Sequence, residues 1–277
     1  MSARPPRTRP MRKPVSRTPA WLAPVAVVAA IALLVAAFIL IRWYTTPLAP
    51  LPLTVDATQQ VIASITSLPS SELDAVGTGS ANNLIKKVSG SPLTAPSGHP
   101  EVFYMGAEYC PYCAAERWPM IIALSRFGTF SGLKTTSSSS TDVYPNTPTF
   151  TFHGTMYTSQ YVDFVSVETT DRNQNALESP TSAQQALVNQ YDTSGSIPFV
   201  DFGNRYAFSG AMYLPDALGG MTWKAVADSL LNPSSPQAKA ILGSANLVTA
   251  AVCKLTADQP ATVCSSSTIQ NIEKTLG

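Results

Sequence analysis

Two cysteines with two residues between them, in the tetrapeptide CPYC at residues 110–113, are the side chains of this sequence best suited to a reaction. Two thiols at this spacing can attack, form and release a disulfide. Residues 101–105 before them are mostly apolar and predict a buried strand, and residues 114–124 after them predict a helix. A CxxC between a strand and a helix favours a redox function.

The position of each thiol in the expected helix predicts its role. Cys110 lies at the helix N-terminus, where about half a positive charge favours the thiolate. Pro111 suits the first turn because its missing N–H needs no partner there. Cys113 lies one turn further in and should be more buried, so Cys110 is predicted to attack and Cys113 to resolve the mixed disulfide. The alternative, a structural bridge, would restrict the unfolded chain little because its loop is so short.

Three charged residues near the two thiols are candidates for tuning them. Glu116 and Arg117 follow Cys113 at helical spacings of three and four, and Glu108 stands two residues before Cys110. Close to the thiols and desolvated, such groups would shift a thiol pKa or pass a proton. The default expectation is that all three are exposed to solvent.

Other chemistries for these thiols have less support. Copper(I) handling is the main rival, with the CxxC thiols, Met105 and Met120 as soft ligands, but no Met-rich or His-rich cluster accompanies them. A Cys–His hydrolase would need a histidine beside Cys110. The chain has only His99 and His153, and both are expected at the surface. No cofactor and no metal ion is predicted.

Cys253 and Cys264 form a second close pair, with ten residues between them. Cysteines outside the cytoplasm can be oxidised, and a bridge closing so short a loop would stabilise the fold by roughly 3 kcal/mol. A metal site is the rival, but CxxC together with Cx10C is not a usual zinc spacing. The pair is predicted to be a structural disulfide.

The first forty residues predict a membrane anchor. Residues 1–19 contain six Lys and Arg, no acidic residue and several prolines, which is typical of a disordered basic tail. Residues 20–42 are predicted to be a transmembrane helix, because the uncharged stretch up to residue 41 would reach about 33 Å across a hydrocarbon core of about 30 Å. A cleaved signal peptide is the alternative, but its apolar region is usually about 7 to 15 residues long.

Charge predicts the orientation of this span and excludes one class of partner. After Arg42 the next basic residue is Lys86, so the positive-inside rule places the N-terminus in the cytoplasm and the rest outside. Beyond the tail, 12 Lys and Arg stand against 17 Asp and Glu, which argues against nucleic acid as a partner. The expected partners are protein thiols or disulfides, a separate redox partner, and membrane lipid through the N-terminal helix.

Residues 43–52 predict a proline-rich linker, and residues 53–277 predict one extracytoplasmic domain of mixed α/β class. Two local questions stay open: Pro119 either kinks the CxxC helix or ends it at Trp118, and residues 135–141 form either a loop or an edge strand. The periodicity predicts helices over 57–67, 81–88, 182–191, 222–231 and 238–252, a strand pair from 150–153 and 161–168, and a hairpin from 197–203 and 205–208.

Residues 106–118, GAEYCPYCAAERW, resemble a thioredoxin-like family known as domain of unknown function 929. The resemblance extends from about residue 53 to the C-terminus. It implies a thioredoxin-like fold with a helical insertion, preceded by one transmembrane helix. It also implies that Pro198 is a cis-proline facing the CxxC, and that Ile197 and Tyr109 line a groove for a bound peptide.

A looser similarity to exported thiol-disulfide oxidoreductases implies the activity. The sequence thus predicts a membrane-anchored extracytoplasmic enzyme of that class with Cys110 as its nucleophile. Tyr109 stands where thioredoxin has tryptophan, and Pro-Tyr separates the thiols as in glutaredoxins, so the direction of electron flow is open. A copper-handling protein and a non-catalytic thioredoxin-like binding module are the alternatives.

Overall fold

The computed structural model describes residues 22–46 and 48–276. The basic tail expected over residues 1–19 and the first two residues of the expected span lie outside these ranges. The chain divides into two compact units, Met1–Thr46 and Pro47–Gly277. The described part of the first unit is helix α1, Leu22–Thr45, and the residue after it.

Helix α1 exposes large apolar side chains along its length, such as Phe38 and Trp43, each 73% exposed. Of the described residues, two stretches are long and apolar enough to cross a membrane, Val27–Thr45 within α1 and Pro236–Leu255. The second is 83% buried inside the second unit and is a core helix. The chain therefore has an apolar N-terminal helix whose surface suits hydrocarbon better than water.

The second unit is of mixed α/β class, as predicted. Its described helices are α2 (Val55–Thr66), α3 (Ser70–Val76), α4 (Pro111–Leu124), α5 (Ser182–Tyr191), α6 (Trp223–Ser229), α7 (Pro236–Leu255), α8 (Ala261–Cys264) and α9 (Ser267–Glu273), with a 3-10 helix at Pro215–Leu218. Its described strands are β1 (Lys86–Lys87), β2 (Glu101–Gly106), β3 (Gly128–Ser131), β4 (Lys134–Ser137), β5 (Pro148–Thr151), β6 (Met156–Ser159), β7 (Asp163–Glu168), β8 (Phe199–Phe202) and β9 (Tyr206–Ser209).

A five-stranded mixed sheet in the order β1-β9-β8-β2-β7 forms the centre of this unit. Strand β2 runs parallel to β7, with Val102 opposite Phe164, and antiparallel to β8. Strands β8 and β9 form a hairpin whose turn uses Gly203 at φ 63°, a conformation that favours glycine. The strand β2 that precedes the CxxC is thus held on both sides.

Side chains of β2 alternate between two apolar layers, which explains why the strand reads as a continuous apolar run. Val102 and Tyr104 belong to the larger cluster, which also contains residues of α4 and α7. Phe103 and Met105 belong to a smaller cluster that includes Val188 of α5. The sheet therefore lies between helices, with α4 and α7 on one face and α5 on the other.

Helix α4 carries the CxxC at its start and is buried on nearly its whole circumference. It continues through Pro119 to Leu124, so it does not end at Trp118. The Trp118 indole N–H donates to the Pro148 carbonyl at 2.9 Å, and α7 packs against the helix from another side. Packing on several sides of α4 fixes the position of its first turn, which carries the CxxC.

Two predicted elements are wrong. Residues 81–88 are not a helix, because their backbone pairs instead with the hairpin region: the Val88 N–H donates to the Arg205 carbonyl at 2.8 Å. Residues 150–153 and 161–168 do not pair with each other, since β5 pairs with β4 and β7 pairs with β2. Of residues 135–141, those up to Ser137 lie in β4 and the rest form a loop.

The C-terminal helices α7, α8 and α9 pack together, and a disulfide joins Cys253 near the end of α7 to Cys264 of α8. Their Cα atoms lie 5.7 Å apart. Both sulfurs belong to the larger apolar cluster. The bridge fixes the short helix α8 against α7.

Candidate functional site

Cys110 caps the N-terminus of α4, and Cys113 lies inside the first turn. The Cys113 backbone N–H donates to the Cys110 sulfur at 3.3 Å. Both thiols are free, and Cys110 is 6% exposed whereas Cys113 is fully buried. Cys110 is therefore the thiol with access to solvent, although it is less exposed than its terminal position suggested.

The two thiols differ in their readiness to ionise. The pKa of Cys110 is lowered, mainly by a hydrogen bond from the Cys113 side chain, against an opposing effect of burial, and the Arg117 charge helps. The pKa of Cys113 is raised well above its usual range, mainly by burial and then by its interactions with Cys110. In such a coupled pair, the first proton leaves from Cys110 and the second is held on Cys113.

Arg117 is fully buried, which contradicts the expectation of a solvated helix face. Its guanidinium donates to both carboxylate oxygens of Glu168 at 2.8 and 2.7 Å, and it lies 5.9 Å from the Tyr104 ring centroid. Glu168 is also fully buried. The Arg117 charge favours the thiolate of both cysteines, so Arg117 is placed to tune them.

Glu116 is also buried rather than exposed, but it faces another part of the fold. Its Oε2 accepts the Met212 N–H at 3.0 Å, and Oε1 has no hydrogen-bond partner among the described residues. Burial raises the pKa of Glu116 to about 8, so the side chain is mostly neutral at pH 7. Glu116 is not among the groups that shift the pKa of either thiol.

Glu108 is buried as well, and it accepts a hydrogen bond from the Thr136 hydroxyl at 3.4 Å. Tyr109, the next residue, is partly exposed, and its carbonyl accepts the Ser139 N–H at 2.9 Å. Both contacts tie the loop before the CxxC to the segment that follows α4. Of the three charged candidates, Arg117 is the one whose charge is among the main causes of the pKa shifts of both thiols.

Ile197 and Pro198 come to the site from far along the sequence, immediately before β8. The Ile197–Pro198 peptide bond is cis, and the Pro198 carbonyl accepts the Gly210 N–H at 2.8 Å. The Cys110 thiol lies 3.7 Å from the Ile197 carbonyl oxygen, within reach of a sulfur hydrogen bond. The structure thus brings together Cys110, Cys113, Ile197 and Tyr109.

The two methionines considered as copper(I) ligands do not come together. Met105 belongs to the cluster on the α5 face of the sheet and Met120 to the cluster on the α4 face. Within the described residues there is no group of three or more His, Cys, Asp or Glu side chains that could hold a metal ion. His99 and His153 lie beside Asp163 and Glu178.

Two parts of the site were missed by sequence reasoning. Glu168 ends β7 directly opposite Gly106 at the end of β2, a neighbour that only the parallel pairing reveals. Tyr144, in the loop after β4, places its ring 5.9 Å from the Tyr112 ring in an edge-to-face contact. No local pattern in the sequence links either residue to the CxxC.

Comparison with known proteins identifies a family and no activity. A family model described as Domain of unknown function (DUF929) matches residues 85–254. The family expected from residues 106–118 is therefore confirmed, over a shorter range than the sequence suggested. No curated protein and no solved structure matched the chain. Its chemistry has to be argued from the site.

Proposed function

We propose that this chain, which belongs to the DUF929 family, is a membrane-anchored thiol-disulfide oxidoreductase that works outside the cytoplasm through Cys110 and Cys113. The observation that carries the proposal is the unequal placement of the two thiols at the start of α4: the Cys110 sulfur caps the helix, accepts the Cys113 N–H at 3.3 Å and is the more exposed, whereas Cys113 is fully buried. One sulfur is prepared to attack as a thiolate, and the other keeps its proton until a mixed disulfide has formed. A purely structural pair has no need of this difference.

In the reducing direction, the Cys110 thiolate attacks one sulfur of a substrate disulfide. A bond between Cys110 and that sulfur forms as the substrate S–S bond breaks, and the second substrate sulfur leaves and takes up a proton. Cys113 then loses its proton and attacks the Cys110 sulfur, which releases the first substrate sulfur as a thiol. Two electrons pass to the substrate; oxidation of a substrate dithiol is the reverse, and a separate dithiol or disulfide partner restores the starting state.

The strand order supports the finer proposal of a thioredoxin-like fold. Strand β2, the CxxC helix α4, the parallel strand β7, helix α5 and the hairpin β8-β9 follow one another as that fold requires. The added segment between α4 and β7 contains strands β3 to β6 rather than the helices expected of an insertion. Additional helical turns, including α6, lie instead between β9 and α7.

An extracytoplasmic location has two supports. The exposed apolar surface of α1 suits a membrane anchor, and the basic residues before it favour a cytoplasmic N-terminus. The Cys253–Cys264 bridge fits an oxidising compartment. Protein thiols or disulfides are the substrates in this proposal, and α1 meets the membrane lipid.

The experiment that tests the function is disulfide trapping by the full-length chain in cells. Cys113→Ser should accumulate mixed disulfides through Cys110, because the resolving thiol is gone, whereas Cys110→Ser should trap almost none. A membrane-impermeant reductant added to intact cells should release the trapped complexes if the site lies outside. Equal trapping by both variants would refute the assignment of roles, and exchange that stops with a chelator and returns with copper would favour copper handling.

A further inference from the structure

The loop of residues 138–147 packs against the CxxC and forms part of the surface that a substrate must meet. The Ser139 N–H holds the Tyr109 carbonyl at 2.9 Å, and the Tyr144 ring contacts the Tyr112 ring. Internal bonds shape the loop, such as the Thr147 N–H to the Ser138 hydroxyl at 2.9 Å. The loop therefore forms one side of the surface next to Cys110, the proposed nucleophile.

Three tyrosines and an aspartate make up what we call the tyrosine surface: Tyr109, Tyr112, Tyr144 and Asp142. All three tyrosines are partly exposed; Tyr109 directly precedes Cys110, and Tyr112 follows it and contacts the Tyr144 ring. Aromatic rings placed in this way offer their faces to a substrate side chain next to its reacting sulfur.

The tyrosine surface contains one carboxylate, that of Asp142. It accepts the N–H of its neighbour Val143 at 2.6 Å and forms no ion pair with any described residue. Asp142 is half-buried and lies two residues before Tyr144, whose ring contacts that of Tyr112. Burial is the largest cause of the raised pKa of Tyr109 and of Tyr112, and the Asp142 charge adds to it.

The other charged groups around the loop are buried or hydrogen-bonded. Glu108 is buried, and the Asp171 carboxylate accepts hydrogen bonds from Asn173 and Asn175 of its own turn. Arg172 faces the loop, and its guanidinium is engaged with the Ser138 carbonyl and the Asn146 side chain at 3.2 and 2.9 Å. The Arg172 guanidinium is thus bonded to the loop, whereas the Asp142 carboxylate has no ion pair among the described residues.

We propose that the tyrosine surface selects polypeptide substrates that carry Lys or Arg next to the reacting cysteine. A cation gains from both components of this surface, because ring faces attract cations and the Asp142 carboxylate complements their charge. An aromatic surface without the carboxylate would favour apolar side chains instead. This inference rests on the proposed function, since it names the substrate class of the same site.

The test uses the full-length chain, reduced and in detergent, with four cysteine peptides of equal length. Each peptide forms a mixed disulfide with 2-mercaptoethanol and has Lys, Gln, Leu or Glu two positions from the cysteine. Rate constants for exchange are divided by those of free dithiothreitol, which removes the intrinsic effect of the neighbour on the leaving sulfur. The Lys peptide should react about fivefold faster than the Gln or Leu peptide and still faster than the Glu peptide, and salt should reduce this preference.

Substitutions in the tyrosine surface test whether this surface causes the preference for the Lys peptide. Asp142→Asn and Tyr144→Ala should each reduce the ratio of the Lys to the Glu rate by about two- to fivefold. Asp56→Asn removes the same charge from an exposed position on α2 and should leave the ratio as it is. An unchanged ratio in both surface variants would overturn the inference.

The neutral disulfide of 2-mercaptoethanol distinguishes a failure of the proposed function from a failure of the proposed substrate preference. A wild-type chain that does not exchange with it, or with any peptide, refutes the proposed function itself. Exchange with it, combined with equal rates for all four peptides, leaves the function standing and overturns the inference. A faster Leu peptide would assign the surface to apolar side chains, which also overturns it.

Discussion

Cys253 and Cys264 join α7 to α8 as a disulfide, whereas Cys110 and Cys113 lie free at the start of α4. All four side chains are buried, with Cys110 the most exposed at 6%. The surroundings of the two pairs differ. The bridge belongs to an apolar cluster where helices meet, while the free pair lies next to the buried charges of Arg117 and Glu168.

Burial alone therefore does not distinguish the bridged pair of cysteines from the free pair. A bridge across 11 positions restricts the unfolded chain considerably, and a CxxC bridge restricts it little. A buried ion pair, in contrast, contributes little to stability but sets the field in which a thiol ionises. The two pairs should therefore respond to different perturbations.

The largest expected effect concerns the bridged pair. Replacing both Cys253 and Cys264 by serine should lower the free energy of unfolding by roughly 3 kcal/mol, because the unfolded chain regains its freedom. Denaturant unfolding of the full-length chain measures this change. The folded double variant should still exchange disulfides through Cys110 at the wild-type rate; loss of exchange in folded protein would show that the two pairs are not independent.

The elements that the sequence predicts correctly are those whose signals lie close together in the chain. Helix α5 has the bounds that its periodicity predicts, because the apolar pattern and the capping box that the structure shows at Thr181 and Gln184 are both local to the segment. The hairpin β8-β9 and the strand before the CxxC are predicted for a similar reason, since short apolar runs end in turn residues.

Predictions failed where the partner lies far along the chain. Residues 161–168 have the pattern of a strand, but the pattern does not say that β2, 62 positions earlier, is the partner of β7. The spacing of Glu116 and Arg117 from Cys113 determines the sides of α4 on which they lie. Whether those sides are buried depends on α7, β2 and the loop after β9, which pack against them. Solvent exposure was the wrong default because this helix is enclosed by elements that the sequence places elsewhere.

A second perturbation compares a carboxyl group on the helix that carries the free pair with one on a helix packed beside the bridge, Glu116 of α4 and Glu273 of α9. The folded-state pKa of Glu116 is raised from 4.5 to about 8, so the wild-type chain should lose stability as the pH rises between these values. Glu116→Gln should remove this loss and gain on the order of 1 to 3 kcal/mol relative to wild type between pH 5 and pH 8. Denaturant unfolding at several pH values measures the difference.

Glu273 of α9 provides the matched control beside the bridged pair. Burial raises its pKa too, but the side chain is more accessible to water, so Glu273→Gln should change the pH dependence less. Equal effects of the two substitutions would contradict the view that α4 encloses a fully buried carboxyl group whereas the helices beside the bridge do not.

The smallest expected effect concerns the buried ion pair of Arg117 and Glu168 beside the free cysteines. Arg117→Met combined with Glu168→Gln removes the buried ion pair without leaving one charge alone, and the pKa of Cys110 should rise because its favourable cation is gone. The rate of Cys110 alkylation at pH 7 should fall about fivefold, and its pH profile should shift upward.

Two controls distinguish tuning from a general structural effect. Arg117→Lys keeps the charge and should retain most of the wild-type pH profile, whereas Lys254→Met removes an exposed charge beside the bridged pair and should leave the profile unchanged. A profile that does not move in the double variant would show that Arg117 has a structural role only.

Helix α7 packs against α4 although it lies more than 100 residues further along the chain. A ribosome makes residues 110–124 long before residues 236–255, so the reactive helix leaves the ribosome before its cover has been synthesised. Until then the apolar side of α4 that packs against α7 lacks its partner. The last helices to be synthesised therefore complete the enclosure of the helix that carries the CxxC.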